Sequence, residues 1–380
     1  MTPTWTWQQT TSRRLRRNHL LRPAPAGTAA DVAAAVCGVQ CQVPAAAELC
    51  LSARTDRLTR AELRETQLEH HATVRTYAMR GTAYLLASSD APTYLAAMRQ
   101  LHGGPDAWFT AFRLDAKQAD EAFGTVADIL DGRVLSRQDL VEALRHRVGD
   151  WFFERFDPSL ADFSVAAAYA GVLAYGPPQG ARTTFVRPDQ WCPQWHDVEE
   201  GEALRELVHR YAAGYGPVTH HDLARWLAVR AGTADELLRS LGNRLTRIDL
   251  EGRTAWLPTA MADPAAEADD RDGRALSLLP QYDSYILGAG PLDRIVPEEA
   301  KTVIRQRNHG RYEGAAGVSV ILVDGTVAGV WERQLRGKTL KLTAVPAHRL
   351  TRPLRTALET EAARIADFYD ARLTLTIEES

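Results

Sequence analysis

The chain has 380 residues, 45% of them hydrophobic and 24% charged, a balance that supports a large buried core and excludes an intrinsically disordered protein. No apolar run reaches the ~20 residues that span a bilayer, and the Arg-rich segment from Arg13 to Arg22 is not followed by an apolar signal core, so a cytoplasmic protein without a membrane partner is expected. The formal charge of -3 argues against a uniformly basic nucleic-acid binder.

The charges, however, are segregated. Arg13, Arg14, Arg16, Arg17 and Arg22 all precede the first acid, Asp31. From Lys301 to Arg352 a second basic run, Lys301, Arg305, Arg307, Arg311, Arg333, Arg336, Lys338, Lys341, Arg349 and Arg352, is interrupted only by Glu313, Asp324 and Glu332. One such run is ordinarily a solvated face; two suggest an anionic partner. Cys37, Cys41, Cys50 and Cys192 form no Cys-X-X-Cys pair and sit among Ala, Val and Leu, so they read as core thiols. His70-His71 and His220-His221 fall on helical segments, where adjacent side chains diverge, and no shared metal or other cofactor is expected.

Residues 1–26 read as an N-terminal arm that packs by Trp5 and Trp7. Helical periodicity begins at Thr28, and Pro44 is expected to loosen that first helix. A second helix opens at Thr59, where a cap hydroxyl is followed by Glu62 at the capping-box position. A third segment runs from Leu68 to Met79, and 82–87 reads as a strand. Three helices followed by a strand is the order of a winged helix, here 27–92.

The order recurs. In 117–190, helices are expected over about 118–130, from Ser136 to about Arg147, and over 162–174, with a strand at 182–186. In 200–260, a helix over 202–213 precedes one capped by Thr219 with Asp222 and one opened by Thr233 with Glu236. Strands 245–250 and 254–257 then flank the turn Glu251-Gly252-Arg253. An acidic linker, 262–272, leads to a β-rich part, 275–380, with one hairpin turning at Asp324-Gly325 and another at Arg336-Gly337-Lys338. A helix over 352–369 and a strand over 372–377 close the chain. The fold class is therefore α+β: three tandem winged-helix units and a C-terminal β-rich part.

The segment Val36-Cys37-Gly38-Val39-Gln40-Cys41-Gln42-Val43-Pro44 places two amides in an apolar run. Pro44 disfavours α conformation at Val43, and in extended backbone residues two apart share a side, so Gln40 and Gln42 could converge on one target. Alone, such a pair is common and is more often a satisfied core or solvent-facing pair than a site. No Walker loop, Gly-X-Ser-X-Gly elbow or His-Glu-X-X-His helix competes with it.

With these residues in view, the chain resembles the AlkZ-like winged-helix DNA glycosylases, bacterial enzymes that excise alkylated purines and unhook interstrand crosslinks. The resemblance runs through Gln40-Cys41-Gln42, Met79-Arg80-Gly81-Thr82, Leu278 to Gly288, Asp293-Arg294 and Val323 to Trp331. The family motif is Gln, an apolar residue, Gln. The YcaQ-type relatives carry Asp in the second position, so Gln42 places this chain nearer the branch associated with self-resistance to azinomycin B. The resemblance implies Gln40 and Gln42 as catalytic residues, a C-shaped concave architecture, and double-stranded DNA carrying alkylated or crosslinked purines as partner, bound by a monomer.

The chemistry supports the implication. A purine alkylated at N7 is cationic and leaves without a general acid. What remains is to place a water at C1′ and stabilise oxocarbenium-like charge, which a neutral amide can do by position and dipole but not as a strong base. A base tethered to the opposite strand is hard to flip into a closed pocket, which favours an open surface. Arg305, Arg307, Arg311, Arg333, Arg336 and Lys338 are the expected DNA contacts. The competing expectation is a winged-helix regulator that binds DNA without chemistry.

Overall fold

The computed structural model describes residues 2–68, 70–102, 114–157, 159–267, 275–312 and 314–378. They divide into two compact units, Met1–Arg64 with His209–Ser380, and Glu65–Val208. The expected linker 262–272 lies partly outside the described residues, as does Glu313.

The first unit carries two sheets. In the larger one, strands Leu276–Leu279, Val320–Val323, Thr326–Arg336 and Thr339–Pro346 run antiparallel in that order, and Arg372–Ile377 adds in parallel at the edge. Both expected hairpins are present. Asp324 and Gly325 take φ of 49° and 80°, the paired left-handed backbone that lets a two-residue turn follow strand twist. The parallel last strand requires a crossover, supplied by the helix Arg352–Phe368, which buries Leu354, Leu358, Ala362, Ile365 and Ala366 at helical spacing. Trp331, almost fully buried, donates its indole N–H to Leu279 O at 2.9 Å and ties the third strand of the sheet to the first.

The smaller sheet joins Thr4–Trp5 in parallel to Leu245–Leu250, which pairs antiparallel with Arg253–Pro258. Trp5 is fully buried against Ile248, Leu250, Ala255 and Leu257, and its indole N–H donates to Ala262 O at 3.2 Å. The Glu251-Gly252 turn has φ of 45° and 84°, the same left-handed pairing as at Asp324-Gly325.

The N-terminal basic run is not one open face: Arg17 and Arg22 are exposed, but Arg13 and Arg14 are not. In the helix Trp7–Arg17, Arg13 is fully buried and Arg14 is 2% exposed. Arg14 donates to Tyr215 O and Pro217 O, each at 2.7 Å, and to Gly290 O; Arg13 donates to Ala213 O at 3.0 Å. Most of these carbonyls belong to the last turn of the helix Glu200–Tyr215 and the chain just beyond it, where a helix leaves acceptors unsatisfied and carries partial negative charge. Two guanidinium groups thus cap one helix end.

In the second unit, five strands order as Ala83–Ala87, Thr73–Tyr77, Ala174–Tyr175, Thr184–Val186 and Leu135–Ser136, antiparallel throughout. Beside them the helices Ala116–Ile129, Arg137–Arg145 and Ala161–Tyr169 bury a core centred on Phe152, whose ring lies 4.9 Å from those of Phe156 and Phe163. Asp115 with Gln118 forms a capping box, and Ser136 accepts from the Asp139 amide as its spacing predicts.

Four expectations fail. The segment Leu68 to Met79 is not a third helix: Thr73–Tyr77 is a strand paired with Ala83–Ala87, because Thr-Val-Arg-Thr-Tyr is rich in β-branched and aromatic side chains. Thr233 does not open a helix but lies inside Ala231–Ser240. His220 and His221 do not diverge; the pair sits at a helix start and the rings lie 4.0 Å apart. His71, outside any helix, stacks on Trp191 at 3.9 Å. Among the described residues no helix is long and apolar enough to cross a membrane, and no three His, Cys, Asp or Glu side chains gather as for a metal ion.

Candidate active site

The helix Ala29–Ala35 ends earlier than Pro44 would suggest, because Cys37 and Gly38 follow it with φ of 57° and 86°. Their amides close back on Ala34 O at 3.1 Å and Ala33 O at 2.7 Å, a left-handed C-terminal cap of the kind that glycine favours. The chain leaves this turn extended, as Val39–Gln40. Pro44 then acts at the start of the next helix, Pro44–Ser52, with Val43 held at φ of -111° as the residue before proline.

The two amides do converge. Gln40 is 6% exposed and Gln42 is exposed, and Gln40 Nε2 donates to Gln42 Oε1 at 3.4 Å. Cys41, between them, is buried. The motif therefore offers one nearly buried amide and one that faces solvent, joined by the bond from Gln40 Nε2 to Gln42 Oε1.

Behind the turn lies a set of buried polar groups drawn from distant parts of the sequence. Tyr215 donates its hydroxyl to Val36 O at 2.9 Å, sharing it with Ser284 O at 3.0 Å. Ser284 Oγ donates to Gly38 O at 3.2 Å and lies 3.7 Å from Cys50 Sγ. Ser284 opens the short helix Ser284–Gly288, whose N-cap Asp283 accepts from the Tyr285 amide at 2.8 Å.

Asp283 also receives both terminal nitrogens of Arg54, at 2.8 and 2.7 Å, and both side chains are fully buried. Burial works against the charge on Arg54, but the Asp283 carboxylate, with Cys50 and Tyr215 nearby, outweighs it and raises the guanidinium pKa. Arg54 Nη1 reaches Cys50 O at 3.0 Å and Cys50 Sγ at 3.2 Å. Burial pushes the Cys50 thiol up to about 12, so it stays protonated. Gly288 makes room for this packing: a Cβ there would lie 2.3 Å from the Tyr215 ring.

The expected DNA contacts all lie in the first unit, where they differ in how they are engaged. Arg305 pairs with Glu298 at 2.7 Å, and Arg307 with Glu378. The Arg333 guanidinium sits 5.3 Å over the Tyr369 ring. Arg336 and Lys338 flank the hairpin tip at Gly337, both exposed, with Lys338 at 2.8 Å from Asp370. Arg311 is exposed in the loop after the helix Glu298–Arg307. Charge counting finds these positions but not their carboxylate partners.

Sequence reasoning misses Arg54, Tyr215, Asp283 and Ser284 as supports of the motif. Asp283 and Ser284 fall within the Leu278 to Gly288 stretch that carries the resemblance, which is their one signal. Arg54 and Tyr215 give none.

Comparison with known proteins gives the family. The model of the AlkZ-like DNA glycosylases matches residues 33–368. A curated relative, an interstrand DNA cross-link repair glycosylase of Streptomyces sahachiroi, is 34% identical over 374 residues, which are 95% of each chain. The solved structure of the Streptomyces sahachiroi DNA glycosylase AlkZ superposes with a TM-score of 0.80 at 31% identity, covering 99% of this chain and 100% of that one.

A mixed α+β chain with a paired amide motif and this likeness over nearly its whole length is a DNA glycosylase. It belongs to the AlkZ-like family, which sets the non-catalytic regulator aside.

Proposed function

We propose that this glycosylase hydrolyses the N-glycosidic bond of N7-alkylated purines in double-stranded DNA and unhooks interstrand crosslinks of the azinomycin type, as a cytoplasmic monomer. The observation that carries the reading is the pair of converging amides at Gln40 and Gln42. Gln42 faces solvent, where a lesion can reach it, and Gln40, nearly buried beside it, donates to its amide oxygen. As the bond from C1′ to N9 breaks, its electron pair moves onto the cationic base and neutralises it. Water adds to C1′ and releases a proton to solvent. The solvent-facing Gln42 amide orients that water and faces the developing positive charge, Gln40 fixes it through the bond to its oxygen, and no strong base is needed.

The same reading makes the enzyme monofunctional. Strand cleavage would need an amine to attack the sugar carbon. The lysines of the chain are Lys117, Lys301, Lys338 and Lys341, none of them near Gln40 in the sequence. Arg305, Arg307, Arg311, Arg333, Arg336 and Lys338 grip phosphates of the duplex, and the basic hairpin engages a groove. Segments 27–92, 117–190 and 200–260 are winged-helix units, a reading supported by their element order. In the first, the helices Ala29–Ala35, Pro44–Ser52 and Arg60–Leu68 precede an antiparallel strand pair; in the third, three helices precede the hairpin of Leu245–Leu250 and Arg253–Pro258.

The test is to incubate the purified chain with duplex DNA holding one N7-alkylguanine, and with a crosslinked duplex. The expected products are free alkylated base and abasic strands that break only after alkali. Strand cleavage by the protein alone, or a covalent adduct trapped by borohydride, would contradict water attack.

A further inference from the structure

We infer that Ser284 and Tyr215 are positioning residues for the glycosylase reaction, setting the direction of Gln40 by holding the carbonyls of Gly38 and Val36. The inference rests on the proposed role of the Gln40 and Gln42 pair and adds what fixes it in place.

The turn that launches Gln40 is made of two consecutive left-handed residues, Cys37 and Gly38, at the end of a seven-residue helix. Local sequence alone holds such a turn weakly, since a short helix is marginal and its last carbonyls lack partners. Here the carbonyls on either side of the left-handed turn, Val36 and Gly38, are each taken by a hydroxyl from far along the chain. Residue 40 follows two positions later in extended backbone, so a rotation of the Gly38 peptide swings the Gln40 amide.

The two hydroxyls are themselves fixed. The Asp283 carboxylate holds Arg54, and Arg54 Nη1 contacts the Cys50 sulfur, which lies against Ser284 Oγ. Because the thiol is protonated it can donate to Ser284 Oγ, leaving the serine proton for Gly38 O. The chain of contacts runs from a buried ion pair to the motif backbone. Tyr215 is clamped by Gly288, where no side chain fits, and spans Val36 O and Ser284 O with one hydroxyl.

The experiment uses the full chain with Tyr215→Phe, Ser284→Ala and both together, and Ser284→Thr as the variant that keeps the hydroxyl. Gln42→Ala serves as control. Single-turnover release of N7-methylguanine from a duplex is measured at saturating protein, alongside the half-saturating protein concentration and the melting temperature. A displacement of the reacting groups by about an ångström can cost on the order of 100-fold, so the double variant should lose about 10- to 100-fold in the saturated rate. DNA affinity should stay as in the wild type, and Ser284→Thr should keep most of the rate.

Two results would overturn the inference: an unchanged rate in the double variant, or a loss that weakens DNA binding and melting in step and that Ser284→Thr fails to restore. An undiminished rate in Gln42→Ala is a different failure, since it would remove the catalytic reading on which the inference stands and the inference with it.

Discussion

Two basic stretches look alike in the sequence, yet side chains within them end in opposite surroundings. Arg13 and Arg14 are buried and donate to backbone carbonyls at the end of the helix Glu200–Tyr215, whereas Arg336 and Lys338 stand exposed at the tip of a hairpin. The guanidinium fork suits the first task, because its five donors can satisfy several carbonyls at once and its charge meets the negative end of a helix dipole. Lysine would offer a single point charge there. At the hairpin the neighbours are an exposed carboxylate and water, and the charge is left available to an anion. What separates a structural charge from an available one is the partner, carbonyl or solvent, and a count of charges does not report it.

The largest effect expected from this contrast is on stability at Arg14. Arg14→Ala removes three donated hydrogen bonds and leaves buried carbonyls at 215, 217 and 290 without them, so unfolding free energy should fall by about 3 kcal/mol or more. Urea denaturation measures it; a decrease like that of an exposed surface arginine would mean that the capping bonds are not made in solution.

Replacing Arg336 and Lys338 by Ala should do the reverse. The melting temperature should hold while DNA affinity becomes less sensitive to salt, by about 0.9 in the slope of log affinity against log salt for each phosphate that is no longer neutralised. Binding titrations over a salt series decide it, and an unchanged slope would place the DNA path elsewhere.

The smallest effect concerns His19, at the end of the N-terminal basic stretch, whose pKa is lowered by burial and then by the positive charges of Arg54 and Arg17. With its folded pKa below the ordinary 6.5, the histidine stays neutral in the folded chain while the unfolded chain takes up a proton, so stability is full above 6.5 and is lost as pH falls toward the folded pKa. His19→Gln should therefore flatten the acid side of the melting temperature profile and leave it unchanged near pH 8.

Much of the fold is legible because its signals are local. The capping boxes at Thr59 with Glu62 and Thr219 with Asp222 form as their spacing predicts, and the turns at Asp324-Gly325 and Glu251-Gly252 carry the left-handed backbone that glycine favours. Reading Thr73–Tyr77 as helix gives its position after two helices more weight than its β-branched composition, and the composition wins. At the site, the convergence of Gln40 and Gln42 follows from two-residue spacing. Its support does not, since Arg54 meets Asp283 across 229 positions and Tyr215 meets Val36 across 179. A pair that far apart leaves no local pattern in either segment.

The most direct test of the account is the rate at which the Gln40→Ala, Gln42→Ala double variant releases N7-methylguanine from a duplex. Removing one preorganised polar group typically costs on the order of 100-fold or more, and the double variant should fall at least that far while keeping the wild-type melting temperature and DNA affinity. Base release at the wild-type rate from a folded, DNA-bound double variant would contradict the claim that these two amides carry the reaction.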